Sequence, residues 1–186
     1  GMNPLSSSSA ERAVYRGVQD FKAAVRYLKE NHTLYGIDTT RIFAMGNSAG
    51  SISIIHASYV EEDERADLTS TFAAPDLGCL SCSGNTFVHH DKPIAIANLW
   101  GAFIDTSLIG ENNTNIPMIS FHGTKDKIVS PNLKSPLRTP FYKPISGSNI
   151  LTPRLQNLGM KTHYHSFINK RHEPWGIFRT KPEFDT

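Results

Sequence analysis

The sequence carries one serine in a setting that suits nucleophilic chemistry. Ser48 lies between Gly46 and Gly50, after the apolar run 41–45 and before a second apolar segment. When a buried strand enters such a Gly-x-Ser-x-Gly turn and a helix leaves it, the serine hydroxyl is exposed at the helix N-terminus, where the helix dipole favours negative charge. The pattern therefore predicts Ser48 as a nucleophile. The alternative is a strand–helix turn rich in Gly and Ser that has no chemical role.

Two further residues could complete a catalytic set with Ser48. Asp126 lies just beyond the apolar run 117–122, and ligands bind at the carboxyl ends of strands in parallel sheets. His172 follows the last predicted strand and can serve as a base, because imidazole titrates near neutrality. The order serine, aspartate, histidine predicts a hydrogen-bonded triad. The alternatives are an aspartate that caps a turn and a surface histidine beside Trp175.

Helices and strands alternate along the chain in the order that would position these residues. Apolar residues recur at spacings of three and four between 14 and 28, which predicts an amphipathic helix. Further helices are expected directly after the serine turn and at 149–158. Short apolar runs predict four strands, at 41–45, 93–97, 117–122 and 162–167. The run 41–45 is almost wholly apolar, which predicts a strand buried on both faces. The alternation predicts a parallel sheet of the α/β class.

The composition restricts the classes of protein to which the chain can belong. The chain has 186 residues, a formal net charge of +2 and 39% hydrophobic residues, which suits one packed domain. Lys and Arg are scattered, so we expect no nucleic acid as partner. The apolar runs are far shorter than the ~20 residues of a membrane span. We interpret 1–10 as a polar lead-in, in which Gly1 resembles the remnant of an expression tag. Residues 11–186 form one domain, with a Pro-rich, lid-like excursion at 130–148.

Three motifs together resemble the carboxylesterase and lipase branch of the α/β-hydrolase superfamily, in particular bacterial esterases of the acetylhydrolase-like and feruloyl-esterase-like kind. They are Gly46-Asn47-Ser48-Ala49-Gly50, His122-Gly-Thr-x-Asp126-x-x-Val129 and His172-Glu-Pro-Trp175. The similarity runs from about residue 13 to residue 176. It implies a three-layer α/β sandwich, here a partial one with about four mostly parallel strands flanked by helices.

The resemblance also implies roles for individual residues. Ser48 would be the nucleophile, Asp126 the acid and His172 the base, in the chain order of an α/β-hydrolase. The amide of Ala49 would be one donor of the oxyanion hole. The residues that would build the turn around the nucleophile are Gly46, Asn47 and Gly50. No metal or cofactor is implied. We therefore expect a serine esterase that acts on a small-molecule ester, whose acyl and alcohol parts the sequence leaves open.

One part of the family pattern is missing from the sequence. A complete member of the family carries about four strands before the first helix, and a loop there, usually rich in His-Gly-Gly, gives the second oxyanion donor. Only 47 residues precede Ser48, and the His122-Gly123 pair belongs to the segment of Asp126. We therefore interpret the chain as the C-terminal half of the fold. Loss of one oxyanion donor costs about 10²–10³ in rate.

A half fold predicts association and leaves other functions open. Without upstream strands, one edge of the strand at 41–45 would be unpaired, and an apolar edge invites pairing with another chain. We expect a homodimer, or association with a partner segment, through this edge. Two functional alternatives remain. One is a half-domain that folds but has no catalytic activity. The other is a serine peptidase of the prolyl-oligopeptidase type, which shares the fold and the order of catalytic residues.

The two cysteines, Cys79 and Cys82, lie in a loop rich in Gly, Ser and Asn. A Cys-x-x-Cys pair in a loop, away from a strand–helix junction, predicts a disulfide or a reduced pair rather than thioredoxin-like chemistry. Zinc is the alternative, with His89 and His90 as further ligands, although the spacing matches no recognised zinc motif. A disulfide would favour an exported protein. The compartment stays open, with secretion or a periplasmic location favoured.

Overall fold

The computed structural model describes residues 7–65, 75–110 and 115–174, so that Trp175 and Gly176 of the predicted match lie outside the described residues. The helices are α1 (Ser7–Glu30), α2 (His32–Tyr35), α3 (Ala49–Tyr59) and α4 (Ser148–Asn157). The strands are β1 (Phe43–Asn47), β2 (Ala95–Leu99), β3 (Met118–Gly123), β4 (Leu133–Lys134), β5 (Ile145–Ser146) and β6 (Thr162–Phe167). Short 3₁₀ turns lie at Thr106–Leu108 and Pro136–Arg138. Residues 7–10, placed in the lead-in by the sequence, already belong to α1.

Four of the strands form a parallel sheet in the order β1-β2-β3-β6. These are the four apolar runs of the sequence, so the α/β class is confirmed. The first two strands begin and end two residues later than expected. Strands β4 and β5 form a separate antiparallel pair within the excursion at 130–148. The excursion is therefore tied into the fold, and Phe103 also bridges to Ser146.

One face of the sheet packs against the helices. The side chains of Ala44, Ile96 and Met118 lie in register on β1, β2 and β3 and are buried. They share one core with apolar residues of α1, α3 and α4, which are Tyr15, Val18, Ile54, Ile55, Leu151 and Leu155. The three- and four-residue spacing in α1 predicted this face because it places apolar side chains on one side of a helix. The sheet thereby presents the carboxyl ends of β1, β2 and β3 side by side.

The prediction that the first strand is buried on both faces is wrong. Phe43 and Met45 of β1 are 66% and 72% exposed, while Ala44 between them is buried. The reason is the alternation of side chains along a strand. Helix α3 covers the Ala44 side, and Ile119 of β3, on the opposite side with Phe43 and Met45, is also partly exposed. Strand β1 also lies at an edge of the sheet.

A loop at 77–91 packs along α1 through polar contacts. Asp91 accepts hydrogen bonds from Lys22 and Arg26, each at 2.9 Å, and all three side chains are at least nine-tenths buried. Within this loop the structure joins Cys79 and Cys82 by a disulfide. These contacts explain why polar residues of α1 are buried on a helix whose apolar stripe faces the sheet.

Among the described residues, no helix combines the length and the apolar composition that crossing a membrane requires.

Candidate active site

Ser48 lies on a strained turn between β1 and α3. Its backbone adopts φ 50° and ψ −121°, a conformation that costs a residue with a side chain of order 1–3 kcal/mol and that is found mainly at functional sites. The Ser48 amide donates to the carbonyl of Leu99 (2.9 Å), and its carbonyl accepts from Ile52 (3.0 Å). The end of β2 and the first turn of α3 thus hold the serine in this conformation.

Gly46 and Gly50 contribute to this turn in different ways. A Cβ on Gly46 would lie 2.6 Å from the carbonyl carbon of Gly50, so only glycine allows the end of β1 to pass the start of α3 this closely. A Cβ on Gly50 would meet nothing within 4 Å. Close packing therefore requires glycine at position 46, whereas Gly50 faces open space among the described residues.

Asp126 lies in the loop after β3 and is buried. Its Oδ1 accepts hydrogen bonds from the amides of Ile128 (2.8 Å) and Val129 (3.1 Å), and its Oδ2 accepts from His172 Nδ1 (2.7 Å). Burial alone would raise the pKa of this carboxyl. Hydrogen bonds from His122, from His172 and from the Ile128 amide outweigh burial and lower the pKa of Asp126 to about 2. The carboxylate is therefore charged and fixed at neutral pH.

His172 joins the acid to the serine. Because its Nδ1–H donates to the Asp126 carboxylate, Nε2 of the neutral ring is free to accept, and it lies 2.9 Å from Ser48 Oγ. The indole of Trp100 meets the imidazole edge to face, with ring centroids 6.1 Å apart. The structure thus brings the three residues singled out in the sequence into one hydrogen-bonded chain.

The segment that carries His172 is pinned to the loop that carries Asp126. The Lys125 amide donates to the carbonyl of Lys170 (2.8 Å), and the Asn169 amide donates to Thr124 Oγ1 (2.8 Å). A Cβ on Gly123 would lie only 2.2 Å from the carbonyl oxygen of Arg171. The glycine at the end of β3 is therefore needed for this close approach, which sets the distance between acid and imidazole.

Ala49 places its amide where negative charge would be stabilised. It is the first residue of α3 and is exposed. The amides of a helix's first turn lack partners within the helix and lie at the positive end of its dipole.

A mostly apolar cavity of about 270 Å³ lies beside this amide. Its walls come from four parts of the chain: Val14 of α1, Ile52 of α3, Ile104 of the loop after β2, and Tyr142 of the excursion at 130–148. Ala49 also lines it. An apolar group attached to an atom held between Ser48 and the Ala49 amide could therefore be buried there.

Three residues that support the site had no role in the sequence-based expectations. Trp100 follows β2 with a positive φ of 46° and packs on His172. His122, at the end of β3, is fully buried next to Asp126, and Ser148 at the start of α4 bonds to His122. A polar residue inside a buried strand, such as Asn98 or His122, was the available signal, because buried polar groups need partners.

Several solved esterases share this arrangement of elements. A truncated carbohydrate esterase from gut microbiota superposes with a TM-score of 0.56 over 84% of this chain, at 20% sequence identity. Esterase 2 of the planctomycete Thermogutta terrifontis, solved with bound butyrate, superposes with a TM-score of 0.60 over 88% of this chain, at 18% sequence identity. Esterase PE8 gives 0.51 over 87% at 15% identity. The described part of the chain has a partial α/β-hydrolase fold.

The chain is shorter than the structures it matches. It covers 61% of the carbohydrate esterase, 58% of the Thermogutta esterase and 57% of esterase PE8. The model of the BD-FAE family matches residues 7–75, which include α1, β1, the Ser48 turn and α3. No curated protein matches the chain. The family model and the structural neighbours confirm the resemblance to the esterase branch of the α/β-hydrolases.

Proposed function

We propose that this α/β-hydrolase chain is, or belongs to, a serine esterase that cleaves carboxylic esters through an acyl-enzyme. The observation that supports the proposal is the chain of hydrogen bonds from Asp126 through His172 to Ser48, at 2.7 and 2.9 Å. The serine sits on a strained turn at a helix N-terminus, and its hydroxyl points to an unprotonated nitrogen. This is the geometry of a base-activated nucleophile.

The proposed reaction has two halves. Nε2 of His172 takes the hydroxyl proton as Ser48 Oγ attacks the ester carbonyl, and the carbonyl oxygen receives the negative charge near the Ala49 amide. The imidazolium then gives that proton to the leaving alcohol, which leaves an acyl-serine. Water attacks the acyl group while the same nitrogen takes its proton. The imidazolium then returns that proton to Ser48 Oγ as the bond to the serine breaks and the carboxylic acid leaves. Charged Asp126 holds the imidazole and stabilises its protonated form.

We propose short acyl groups as the preferred substrates. The cavity beside Ala49 measures about 270 Å³ and is lined mostly by apolar side chains. A small acyl chain fits such a space without burying polar groups. The Thermogutta esterase was solved with butyrate and with propionate, which supports the same class of substrate for this chain. Neighbours that are esterases also favour ester cleavage over the peptidase alternative.

We propose that β1 is the surface through which the chain associates. It is the edge strand of the parallel sheet, and Phe43 and Met45 are largely exposed on it. A second copy or a partner segment that pairs with this edge would cover both side chains. It could also bring a second oxyanion donor near the Ala49 amide. Sedimentation at high protein concentration tests the association, and a single monomeric species would contradict it.

Hydrolysis of p-nitrophenyl acetate and butyrate tests the esterase proposal. We expect turnover by the chain and none above background by Ser48→Ala. Ser58→Ala is the matched control, because Ser58 lies on the same helix and its hydroxyl donates to the Ile54 carbonyl (2.7 Å), away from the hydrogen bonds of the site. Equal rates in the chain and in Ser48→Ala would refute the proposal. Cleavage of aminoacyl anilides but not of the esters would favour the peptidase.

A covalent label gives a second test that does not depend on turnover. The Thermogutta esterase has been solved phosphorylated by paraoxon. Paraoxon reacts with a serine only where a base activates the hydroxyl, so we expect one diethylphosphoryl group on the peptide that contains Ser48. Labelling that persists in Ser48→Ala would show that another group reacts.

A further inference from the structure

A chain of buried hydrogen bonds continues from the acid into the core, and we call it the buried relay. It runs from Ser51 Oγ to Asn98 Oδ1 (2.6 Å), from Asn98 Nδ2 to Ser148 Oγ (3.3 Å), and from Ser148 Oγ to His122 Nδ1 (2.9 Å). His122 Nε2 then lies 3.3 Å from Asp126 Oδ2. The side chains of Ser51, Asn98, Ser148 and His122 are 0% exposed. The relay thus joins α3, β2, α4 and β3 to the acid.

The partners of His122 fix where its proton lies. Nε2 faces two acceptors, the Val129 carbonyl at 2.9 Å and the Asp126 carboxylate, so Nε2 carries the hydrogen. Nδ1 of the neutral ring must then accept, and the Ser148 hydroxyl donates to it. The Ser148 oxygen in turn accepts from the Asn98 amide. With these assignments every donor in the buried relay has an acceptor, and its hydrogen bonds can run in only one direction.

The same carboxylate oxygen serves both histidines. Asp126 Oδ2 accepts from His172 Nδ1 at 2.7 Å and faces His122 Nε2, while Oδ1 accepts from two backbone amides. A carboxylate offers about four acceptor positions. Two amides and His172 Nδ1 occupy three of them, and His122 Nε2, which also donates to the Val129 carbonyl, faces the fourth. With donors on every side, the carboxylate cannot rotate away from His172.

We infer that His122 is a positioning residue for the proposed esterase reaction: its Nε2–H fixes the Asp126 carboxylate toward His172, and Ser148 and Asn98 hold His122 in the tautomer that can do this. The inference rests on the proposed function for its kinetic part. His122 touches neither the serine nor the cavity beside Ala49, so its effect reaches the substrate only through Asp126 and His172.

Three variants separate positioning from simple packing. His122→Leu removes the donor, and we expect kcat to fall by about 10²-fold with KM unchanged, because a misplaced catalytic group costs rate of this order. His122→Gln keeps an amide donor near the Nε2 position and should restore kcat to within about tenfold, the milder end of losses for outer partners of a site. Ser148→Ala removes the group that fixes the tautomer and should lower kcat.

Ser120→Ala is the matched control. Ser120 is equally buried and accepts from the same Asn98 amide at 3.1 Å, but it is not on the path to His122. Its kcat should stay at the value of the unmodified chain. If His122→Leu has the same kcat as the unmodified chain, and circular dichroism shows an intact fold, the inference is overturned. Equal losses in Ser120→Ala and Ser148→Ala would also overturn it.

Histidine ¹⁵N NMR tests the inference even if no ester is cleaved. We expect His122 as the Nε2–H tautomer and His172 as the Nδ1–H tautomer. In His122→Leu the Nδ1–H signal of His172 should be lost or averaged, and in His122→Gln it should remain. If the unmodified protein hydrolyses the ester no faster than Ser48→Ala, the proposed function is refuted, but the relay is not. An Nδ1–H tautomer at His122, or an unchanged His172 signal in His122→Leu, would refute the relay alone.

Discussion

His56 gives the sharpest prediction for how stability depends on pH. Its ring is fully buried in α3, where Nδ1–H donates to the Ile52 carbonyl (2.7 Å) and Nε2 accepts from the Ile104 amide (3.2 Å). A proton on Nε2 would face a donor instead of an acceptor. Burial lowers the pKa of His56 from 6.5 to about 4 and outweighs the Ile52 hydrogen bond, which raises it. The neutral ring is therefore strongly preferred in the folded chain.

The size and the sign of the effect follow from that difference in pKa. In the unfolded chain His56 takes up a proton as the pH falls through 6.5, whereas in the folded chain it stays neutral until about pH 4. Its contribution to the free energy of unfolding is complete above pH 6.5 and is lost between 6.5 and 4. The loss approaches about 1.4 kcal/mol per pH unit and totals about 3 kcal/mol. That is a large part of the stability of an ordinary domain.

Urea unfolding at a series of pH values measures this contribution. His56→Asn can still donate to the Ile52 carbonyl but cannot titrate, so it isolates the charge. We expect the unmodified chain to lose about 3 kcal/mol relative to the variant between pH 6.5 and pH 4. The carboxyl of Asp126 acts in a separate window, because its pKa of about 2 affects stability only below pH 4. Parallel curves for the chain and the variant from pH 7 to pH 4 would refute the reasoning.

Two further substitutions test the packing around the site and the helix that supports it. Gly123→Ala would place a Cβ 2.2 Å from the Arg171 carbonyl oxygen. We therefore expect the His172 segment to shift and the rate of ester hydrolysis to fall by about 10²-fold, while the circular dichroism spectrum stays unchanged. Retained activity would contradict this expectation. Asp91→Asn removes the buried partner of two cations and should cost about 3–5 kcal/mol of unfolding free energy, whereas Asp76→Asn, at an exposed ion pair, should leave the urea midpoint nearly unchanged. Similar midpoints for the two variants would show that the buried contacts matter little.

The sequence was sufficient for the main helices and the four strands of the parallel sheet because their signals are local, but α2, β4 and β5 were not predicted. Apolar runs located β1, β2, β3 and β6, and the three- and four-residue spacing located α1. The error on β1 has a different origin. An apolar run shows that a strand could be buried on both faces, but which faces are covered depends on the elements packed beside it.

The candidate site could be predicted in part, because chain order carries information that spacing does not. The order Ser48, Asp126, His172 predicted the residues that the structure brings together, and their catalytic roles remain a proposal. Asn98 and Ser148 could not be found in this way. Asn98 meets Ser120 and Ser148 only because β2 pairs with β3 in one register and α4 begins beside them. That register is set by tertiary packing and leaves no trace in the spacing of residues.

The hydrogen-bonded contact between the segments 123–126 and 169–172 has a consequence for local unfolding. The amides of Lys125 and Asn169 are bonded across it, to Lys170 and Thr124. Neither segment can open while these bonds persist, so acid and imidazole should be released in one cooperative event rather than separately. Hydrogen exchange at the two amides would then proceed at a common opening free energy. The acid and the imidazole would thus behave as a single dynamic unit, carried on two stretches of chain that lie more than 40 residues apart in sequence.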